Sequence, residues 1–219
     1  MEFVTCNTAV FEHPNCQLHC PNCQLHCTAC CTGSALIEIT CLSCMWDRAI
    51  ECTCAAEKGH GDCVRMLLDA GCNVNSRNLL GKAALHFAAT AGHQDILQLL
   101  IDKTCDVNIE TNEGNTALHL AASNAYVKCV EVLLSGGIDI NAQNAKSWTA
   151  LHWTASRGHQ VVLQQIITDN NCDVSALTNK QSTGLHLAAK NGHTCCVRAL
   201  IDGGCHIDSV GFHRRAANV

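Results

Sequence analysis

The stretch TALHWTASRGH at residues 149–159 decides the fold, because close copies of it recur along the chain. The copies are AALHFAATAGH (83–93), TALHLAASNAY (116–126) and TGLHLAAKNGH (183–193). Their leucines lie 33, 33 and 34 residues apart, at Leu85, Leu118, Leu151 and Leu185. A weaker copy, IECTCAAEKGH (50–60), comes another 33 residues earlier. A fixed period of this length predicts an array of stacked repeats.

Each repeat has the same internal order. A short helix containing a small pair, such as Ala88 and Ala89, ends at a glycine such as Gly92, and glycine favours the left-handed conformation common at helix C-termini. A second helix with apolar residues at helical spacing follows, and then a polar segment such as VNIETNEGNT (107–116), typical of a hairpin-like turn. The sequence therefore predicts an all-α solenoid of about five helix-turn-helix repeats with hairpin-like connecting loops.

The period, the T-x-L-H box, the G-H turn and the D-V-N tail together resemble the ankyrin-repeat family over residues 45–208. The implied repeats are 45–77, 78–110, 111–143, 144–177 and 178–208, with a cysteine-rich segment at 1–44 and a tail at 209–219. The resemblance implies a protein–protein interaction module that binds its partner through the hairpin tips and the concave side of the first helices.

Two departures from the repeat pattern predict local effects, a strained turn in one repeat and a bulge in another. In the third repeat, Ala125 and Tyr126 replace the Gly-His pair, so a residue with a side chain lies where the turn favours positive φ. In the fourth repeat, the turn DNNCDV (169–174) carries one extra residue and predicts a bulge.

One histidine recurs in each T-x-L-H box, at His86, His119, His152 and His186. The resemblance implies that these histidines bond to the backbone and the box threonine and hold neighbouring repeats in register, and that they are not metal ligands or catalytic groups. Cysteines also recur, in the small position that Ile138 fills in the third repeat, at Cys72, Cys105, Cys172 and Cys205. This pattern predicts core residues and not redox centres.

Composition excludes several classes of function. The net charge of −5 and the charged fraction of 15% predict no basic surface for nucleic acid. The sequence has no apolar run near the ~20 residues that span a bilayer and no secretory signal, which predicts an intracellular protein of the nucleus or cytoplasm with no membrane partner. It has no phosphate-binding loop and no nucleophile–base–acid pattern, so we expect no enzymatic activity.

Two tryptophans lie five residues apart in SWTALHWTAS (147–156), Trp148 in a predicted hairpin and Trp153 in the following helix. Aromatic faces set at an angle can hold a methylated ammonium by cation–π attraction, worth up to ~2 kcal/mol when desolvated. The pair resembles part of the methyl-lysine cage in the ankyrin repeats of the euchromatic histone lysine methyltransferases. In that family an acidic residue stands at the position of Ser156 and a tryptophan at that of Leu187.

The resemblance implies an alternative function, the recognition of a methylated histone tail. The simpler interpretation of Trp153 is packing between repeats, because Phe87, Leu120 and Leu187 fill its position elsewhere. The candidate partner-binding residues are Trp148, Trp153, Lys146, Ser156, Glu113 and Asn115.

The N-terminal segment repeats one heptapeptide in PNCQLHCPNCQLHC (14–27). Paired C-x2-C motifs can present four thiolates to one zinc ion, and zinc would supply the folding free energy that so short a segment lacks. The candidate zinc ligands are Cys20, Cys23, Cys27, Cys30, Cys41 and Cys44. The alternatives are a disordered, low-complexity segment and a metal–thiolate buffer. The string CPNCQLHCTA (20–29) is also similar to the cysteine-rich region of the same methyltransferases, which implies a fragment without their catalytic SET domain.

Overall fold

The computed structural model describes residues 48–205, which form ten α-helices joined by turns. The helices follow one another in five pairs: α1 (Arg48–Lys58) with α2 (Gly61–Asp69), α3 (Ala84–Ala91) with α4 (Gln94–Asp102), α5 (Ala117–Ser123) with α6 (Val127–Ser135), α7 (Ala150–Arg157) with α8 (Gln160–Ile167), and α9 (Gly184–Lys190) with α10 (Thr194–Asp202). No β-strand occurs between residues 48 and 205. The predicted all-α array of helix-turn-helix repeats is confirmed over this range.

The cysteine-rich segment 1–44 and the tail 209–219 lie outside the described residues. The zinc hypothesis therefore stays a prediction from the sequence, as do its six ligands, Cys20, Cys23, Cys27, Cys30, Cys41 and Cys44.

The helices pack in two layers. Each first helix contacts the first helix of the next repeat, and the second helices form a parallel row behind them. Small residues such as Ala88 and Ala121 are fully buried in the first layer, while the second layer buries larger side chains such as Leu100 and Leu133. Full burial of one leucine contributes about 2 kcal/mol. Stacking therefore supplies a continuous core that no single repeat could form.

Glycine ends the first helix of most repeats for two physical reasons. Gly158 follows α7 with φ of +77°, a left-handed conformation that side chains disfavour. A Cβ atom at Gly158 would also lie only 2.6 Å from Nδ1 of His193 in the next repeat. The G-H turn therefore closes the helix and makes room for the neighbouring repeat.

In the third repeat, the turn residue is Ala125, and the structure gives it φ of +61°. The backbone thus keeps the left-handed turn even though the residue has a side chain. Ala125 therefore has the strained positive φ that the sequence predicts at this position.

Changing Ala125 to glycine should raise the free energy of unfolding by about 1 kcal/mol, because it removes the left-handed strain. Urea unfolding followed by circular dichroism measures the change. Ala91→Gly, the same substitution at the last residue of α3, should instead lower stability by up to about 1 kcal/mol. A fall in stability for Ala125→Gly would contradict the assignment of strain.

The extra residue in the fourth repeat changes the turn after α8. In the other repeats the backbone N–H at this point bonds to a carbonyl five residues earlier, as from Cys105 to Leu100 (3.2 Å) and from Ile138 to Leu133 (3.3 Å). In the fourth repeat Cys172 bonds instead to the carbonyl of Asp169 at 3.0 Å. The insertion is absorbed within the turn, and Ile166 remains fully buried.

Candidate functional site

The box histidines connect each repeat to the next. Nε2 of His86 lies 3.1 Å from the carbonyl oxygen of Asn115, and Nε2 of His119 lies 2.8 Å from that of Trp148. His152 reaches the carbonyl of Ala176 at 3.1 Å in the same way. For these three histidines the predicted role in holding the repeats in register is confirmed.

The tautomer of these histidines follows from their other ring nitrogen. The backbone N–H of Thr149 donates to Nδ1 of His152 at 3.1 Å, so Nδ1 carries no proton and Nε2 is the donor to Ala176. Burial lowers the pKa of His152 to about 4, and that of His86 to about 4 as well. Burial also lowers the pKa of His119. These side chains are therefore neutral near pH 7, as the hydrogen bonds require.

A second set of histidines forms hydrogen bonds to the preceding repeat instead of the following one. The histidines of the G-H turns bond backwards, to a carbonyl at the end of the preceding first helix. Their Nε2 atoms lie 3.0–3.1 Å from these oxygens, in the pairs His93 with Glu57, His159 with Ser123, and His193 with Ser156. Sequence analysis missed this role, although the recurrence of the G-H pair was the signal that could have indicated it.

Four hairpin turns, at residues 78–82, 111–115, 144–148 and 178–182, lie side by side. In each turn the first N–H bonds to the fifth carbonyl at 2.9–3.0 Å. Adjacent turns are also bonded to each other, as from Ala145 N–H to the carbonyl of Glu113 (2.9 Å) and from Asn179 N–H to that of Lys146 (3.2 Å). The turns therefore form one continuous hydrogen-bonded edge along the array.

The structure brings the two candidate tryptophans into contact. The ring centroids of Trp148 and Trp153 lie 4.8 Å apart with an interplanar angle of 57°, and both side chains are half-buried. The Arg157 guanidinium lies 5.3 Å from the centroid of the Trp153 ring, which is cation–π distance. Sequence analysis did not predict this cation, although Arg157 is four residues after Trp153 on α7.

The hairpin candidates Glu113, Asn115 and Lys146 lie in one hydrogen-bond network. The Asn115 amide donates to Glu113 Oε2 at 3.1 Å and accepts from Asn144 Nδ2 at 2.8 Å. Asn144 Oδ1 in turn accepts from the backbone N–H groups of Lys146 (2.9 Å) and Trp148 (3.0 Å). Asn144, which sequence analysis missed, thus connects these candidates to Trp148.

Ser156 has a role between repeats. Its carbonyl oxygen accepts from Asn191 Nδ2 at 2.8 Å and from His193 Nε2 at 3.1 Å, and its hydroxyl lies 3.2 Å from the same amide. Ser156 is therefore engaged by the fifth repeat.

The recurring cysteines have the environment predicted for core residues. Cys205 is buried, and Cys72, Cys105 and Cys172 are half-buried against the hydrophobic core. Burial raises the pKa of Cys105 to about 11 and that of Cys172 to about 12. These thiols are therefore protonated near pH 7 and are weak nucleophiles.

Between residues 48 and 205 the side chains form no group of three or more His, Cys, Asp or Glu that could hold a metal ion. None of the ten helices described is long and apolar enough to cross a membrane.

The family follows from this fold and its recurring bonds. A family model described as ankyrin repeats (three copies) matches residues 52–144 and 138–210. The chain therefore belongs to the ankyrin-repeat family. No curated protein matches it significantly. Ankyrin repeats are in general non-catalytic modules for protein–protein interaction, which implies a protein partner for this chain.

Proposed function

We propose that this chain binds a protein partner through its row of hairpin turns and the adjoining first helices. The observation that carries the proposal is the Trp148–Trp153 pair in the fourth repeat, two aromatic rings in contact that are each only half-buried. Aromatic side chains of this kind dominate the binding energy of protein interfaces. The proposed contact residues are Trp148, Trp153, Lys146, Ser156, Glu113 and Asn115.

The polar candidates would orient the partner. Lys146 and Glu113 are exposed, and the network through Asn144 fixes the backbone that carries them. A fixed backbone lowers the entropy that is lost when a partner binds. Ser156 is half-buried and bonded to Asn191, so it would contribute to the shape of the surface more than to hydrogen bonding.

Changing Trp148 to alanine should weaken the binding of peptides selected on the wild-type chain by at least about tenfold. The probe is a random library of peptides ~12 residues long, about 40 Å when extended, with affinities measured by fluorescence anisotropy. Val161→Ala is the matched control, because Val161 is 59% exposed on α8, in the other helix layer. Circular dichroism checks that both variants fold. Equal affinities for Trp148→Ala and wild type would contradict the proposed surface.

The alternative function is recognition of a methylated lysine in a histone tail. The tilt of 57° between the Trp148 and Trp153 rings supports it, because two inclined aromatic faces can enclose an ammonium group. Two observations oppose it. The Trp153 ring already holds the Arg157 guanidinium, and Ser156 supplies no negative charge.

Titration with histone-tail peptides carrying unmodified, monomethylated and dimethylated lysine separates the two functions. A reader requires methyl-dependent quenching of tryptophan fluorescence that Trp148→Ala abolishes. A response that is equal for all three peptides would remove this alternative and leave the general protein-binding function standing.

Two further predictions come from the sequence. Zinc binding by the N-terminal cysteines rests on the C-x2-C pairs and on the small size of the segment, for which a metal ion would supply folding free energy. Location in the nucleus or the cytoplasm stays a prediction from the sequence.

A further inference from the structure

Charge is divided between two sets of segments in residues 77–205. The hairpin and first-helix segments (77–91, 111–124, 144–157 and 178–190) hold six cationic residues and one acidic residue, Glu113. The remaining segments (92–110, 125–143, 158–177 and 191–205) hold nine acidic residues and three cationic ones. We call the six cations the basic face: Arg77, Lys82, Lys146, Arg157, Lys180 and Lys190. The whole-chain net charge of −5 conceals this face.

The basic face follows the row of hairpin turns and is densest on the last two of the four, since the turn at 111–115 carries Glu113 and no cation. Lys146 and Lys180 lie on adjacent turns, which the bond from Asn179 N–H to the Lys146 carbonyl holds together. Both side chains are exposed, as are those of Arg157 and Lys190. Their positive charges therefore add along one side of the array.

The cations of the basic face are not neutralised within the described part of the chain. Both ion pairs found there, Lys103 with Asp69 and Lys128 with Glu131, join residues on the second helices or their following turns. Two basic-face cations lie instead over aromatic rings, Lys82 at 5.7 Å from the Phe87 centroid and Arg157 over Trp153. A ring face orients a cation without cancelling its charge.

Apolar surface lies beside these cations. Leu79 and Leu80 are 98% and 61% exposed at the first described hairpin, next to Arg77 and Lys82. Two hairpin turns further along the face, the Trp148–Trp153 pair is bordered by Lys146 and Arg157. Two adjacent leucines exposed to this extent supply apolar surface that a bound partner can cover.

We propose that the basic face docks an acidic, extended segment of a partner protein that carries apolar or aromatic side chains. This inference rests on the proposed function and specifies its partner. Carboxylates of the segment would pair with Lys146, Lys180 and the other cations, while its apolar side chains would pack on the leucines and tryptophans. Charge of this kind steers association and sets specificity, and apolar anchors supply most of the affinity.

The size of the face sets the length of the segment. Neighbouring helices pack about 8–10 Å apart, so four repeats extend over roughly 30 Å. An extended chain covers that distance in about 9 residues. Leu79 and Leu80 lie two repeats away from the tryptophan pair, roughly 16–20 Å, which an extended chain covers in about 5 residues. Apolar anchors at this separation, with Asp or Glu around them, would match the apolar sites of the basic face.

The test uses the full chain and a fluorescein-labelled peptide of about 10 residues, long enough to cover the face. The acidic probe has a Leu and a Trp about 5 residues apart, to match the separation of the leucines and the tryptophans, and Asp and Glu elsewhere. In two counterparts the acidic residues are replaced by lysine or by serine, and a single-stranded oligothymidylate tests nucleic acid. Affinity is measured by anisotropy at low and at physiological salt.

We expect the acidic peptide to bind at least about tenfold more tightly than the serine peptide, and its affinity to fall as salt rises. The double variant Lys146→Glu/Lys180→Glu should weaken it by about tenfold or more, because two attractions become repulsions. The matched control Lys128→Glu/Arg198→Glu makes the same charge change on second helices and should stay within about twofold of wild type.

Three results would overturn the proposal. They are tighter binding of the lysine or serine peptide, tighter binding of oligothymidylate, and an equal loss in the two double variants. If the lysine or serine peptide binds and Trp148→Ala abolishes that binding, the proposed function stands and only the acidic partner is wrong. If no peptide binding depends on Trp148, Lys146 or Lys180, both proposals fail.

Discussion

Replacing His152 with alanine should lower the free energy of unfolding by about 4 kcal/mol. The imidazole is fully buried, accepts from the backbone N–H of Thr149 and donates to the carbonyl of Ala176. Its removal leaves both backbone groups without their partner and opens a cavity. Unpaired buried polar groups cost about 1–3 kcal/mol each, and the cavity adds to that cost.

Urea unfolding near pH 7.5, followed by circular dichroism and by tryptophan fluorescence, measures this loss. His186→Ala is the matched control, because His186 has the same bond from its box threonine but is only half-buried. Within the described residues its Nε2 atom contacts no carbonyl of another repeat. We expect about half the loss there. Equal losses at His152 and His186 would show that the bond to Ala176 contributes little.

Lowering the pH from about 7.5 to about 5 should reduce the free energy of unfolding by about 4 kcal/mol through His86 and His152 together. Their pKa is about 4 in the folded chain and about 6.5 when unfolded. Between these values the unfolded chain binds more protons, so stability falls as the pH falls. Each histidine contributes a slope of about 1.4 kcal/mol per pH unit, and His119, with its lowered pKa, adds to the decline.

The measurement is urea unfolding at several pH values above about 5, where most carboxylates stay ionised. His152→Gln cannot titrate at this position, so its slope should be smaller than that of wild type by about 1.4 kcal/mol per pH unit. Unchanged wild-type stability across this range would mean that the box histidines are not buried in the neutral form.

The repeat fold was predictable because its signals are local and recur. Leu85, Leu118, Leu151 and Leu185 set the period, and a glycine such as Gly158 marks the end of a first helix. The strained turn at Ala125 was predictable from the one repeat that lacks this glycine. The positive φ at Ser147 and Gln181 in the hairpin turns was not predicted. Glycines occupy the equivalent position in the two preceding turns, at Gly81 and Gly114, and this recurrence could have indicated the positive φ.

The candidate site was only partly predictable, because most of its contacts cross between repeats. The proximity of Trp148 and Trp153 follows from their short separation in the sequence. The bonds of Ser156 with Asn191 depend on how far one repeat is rotated against the next, and no single repeat contains that information. The expectation of no basic surface came from whole-chain composition, which averages two faces of opposite charge. A comparison of charges at equivalent positions of the repeats, such as those of Lys146 and Lys180, would have distinguished the two faces.

The replacement of a backward-bonding histidine by Tyr126 makes the junction between the second and third repeats different from the others. Asn124 supplies a long bond of 3.4 Å to the Thr90 carbonyl, where other junctions have a histidine bond of about 3.0 Å. In a linear array each repeat is stabilised only by its neighbours, so cooperativity passes through every junction in series. A weaker junction divides such an array into two blocks that can open separately. The chain would then behave under heat or mechanical load as a two-repeat block joined to a three-repeat block, with Trp148 and Trp153 both in the latter.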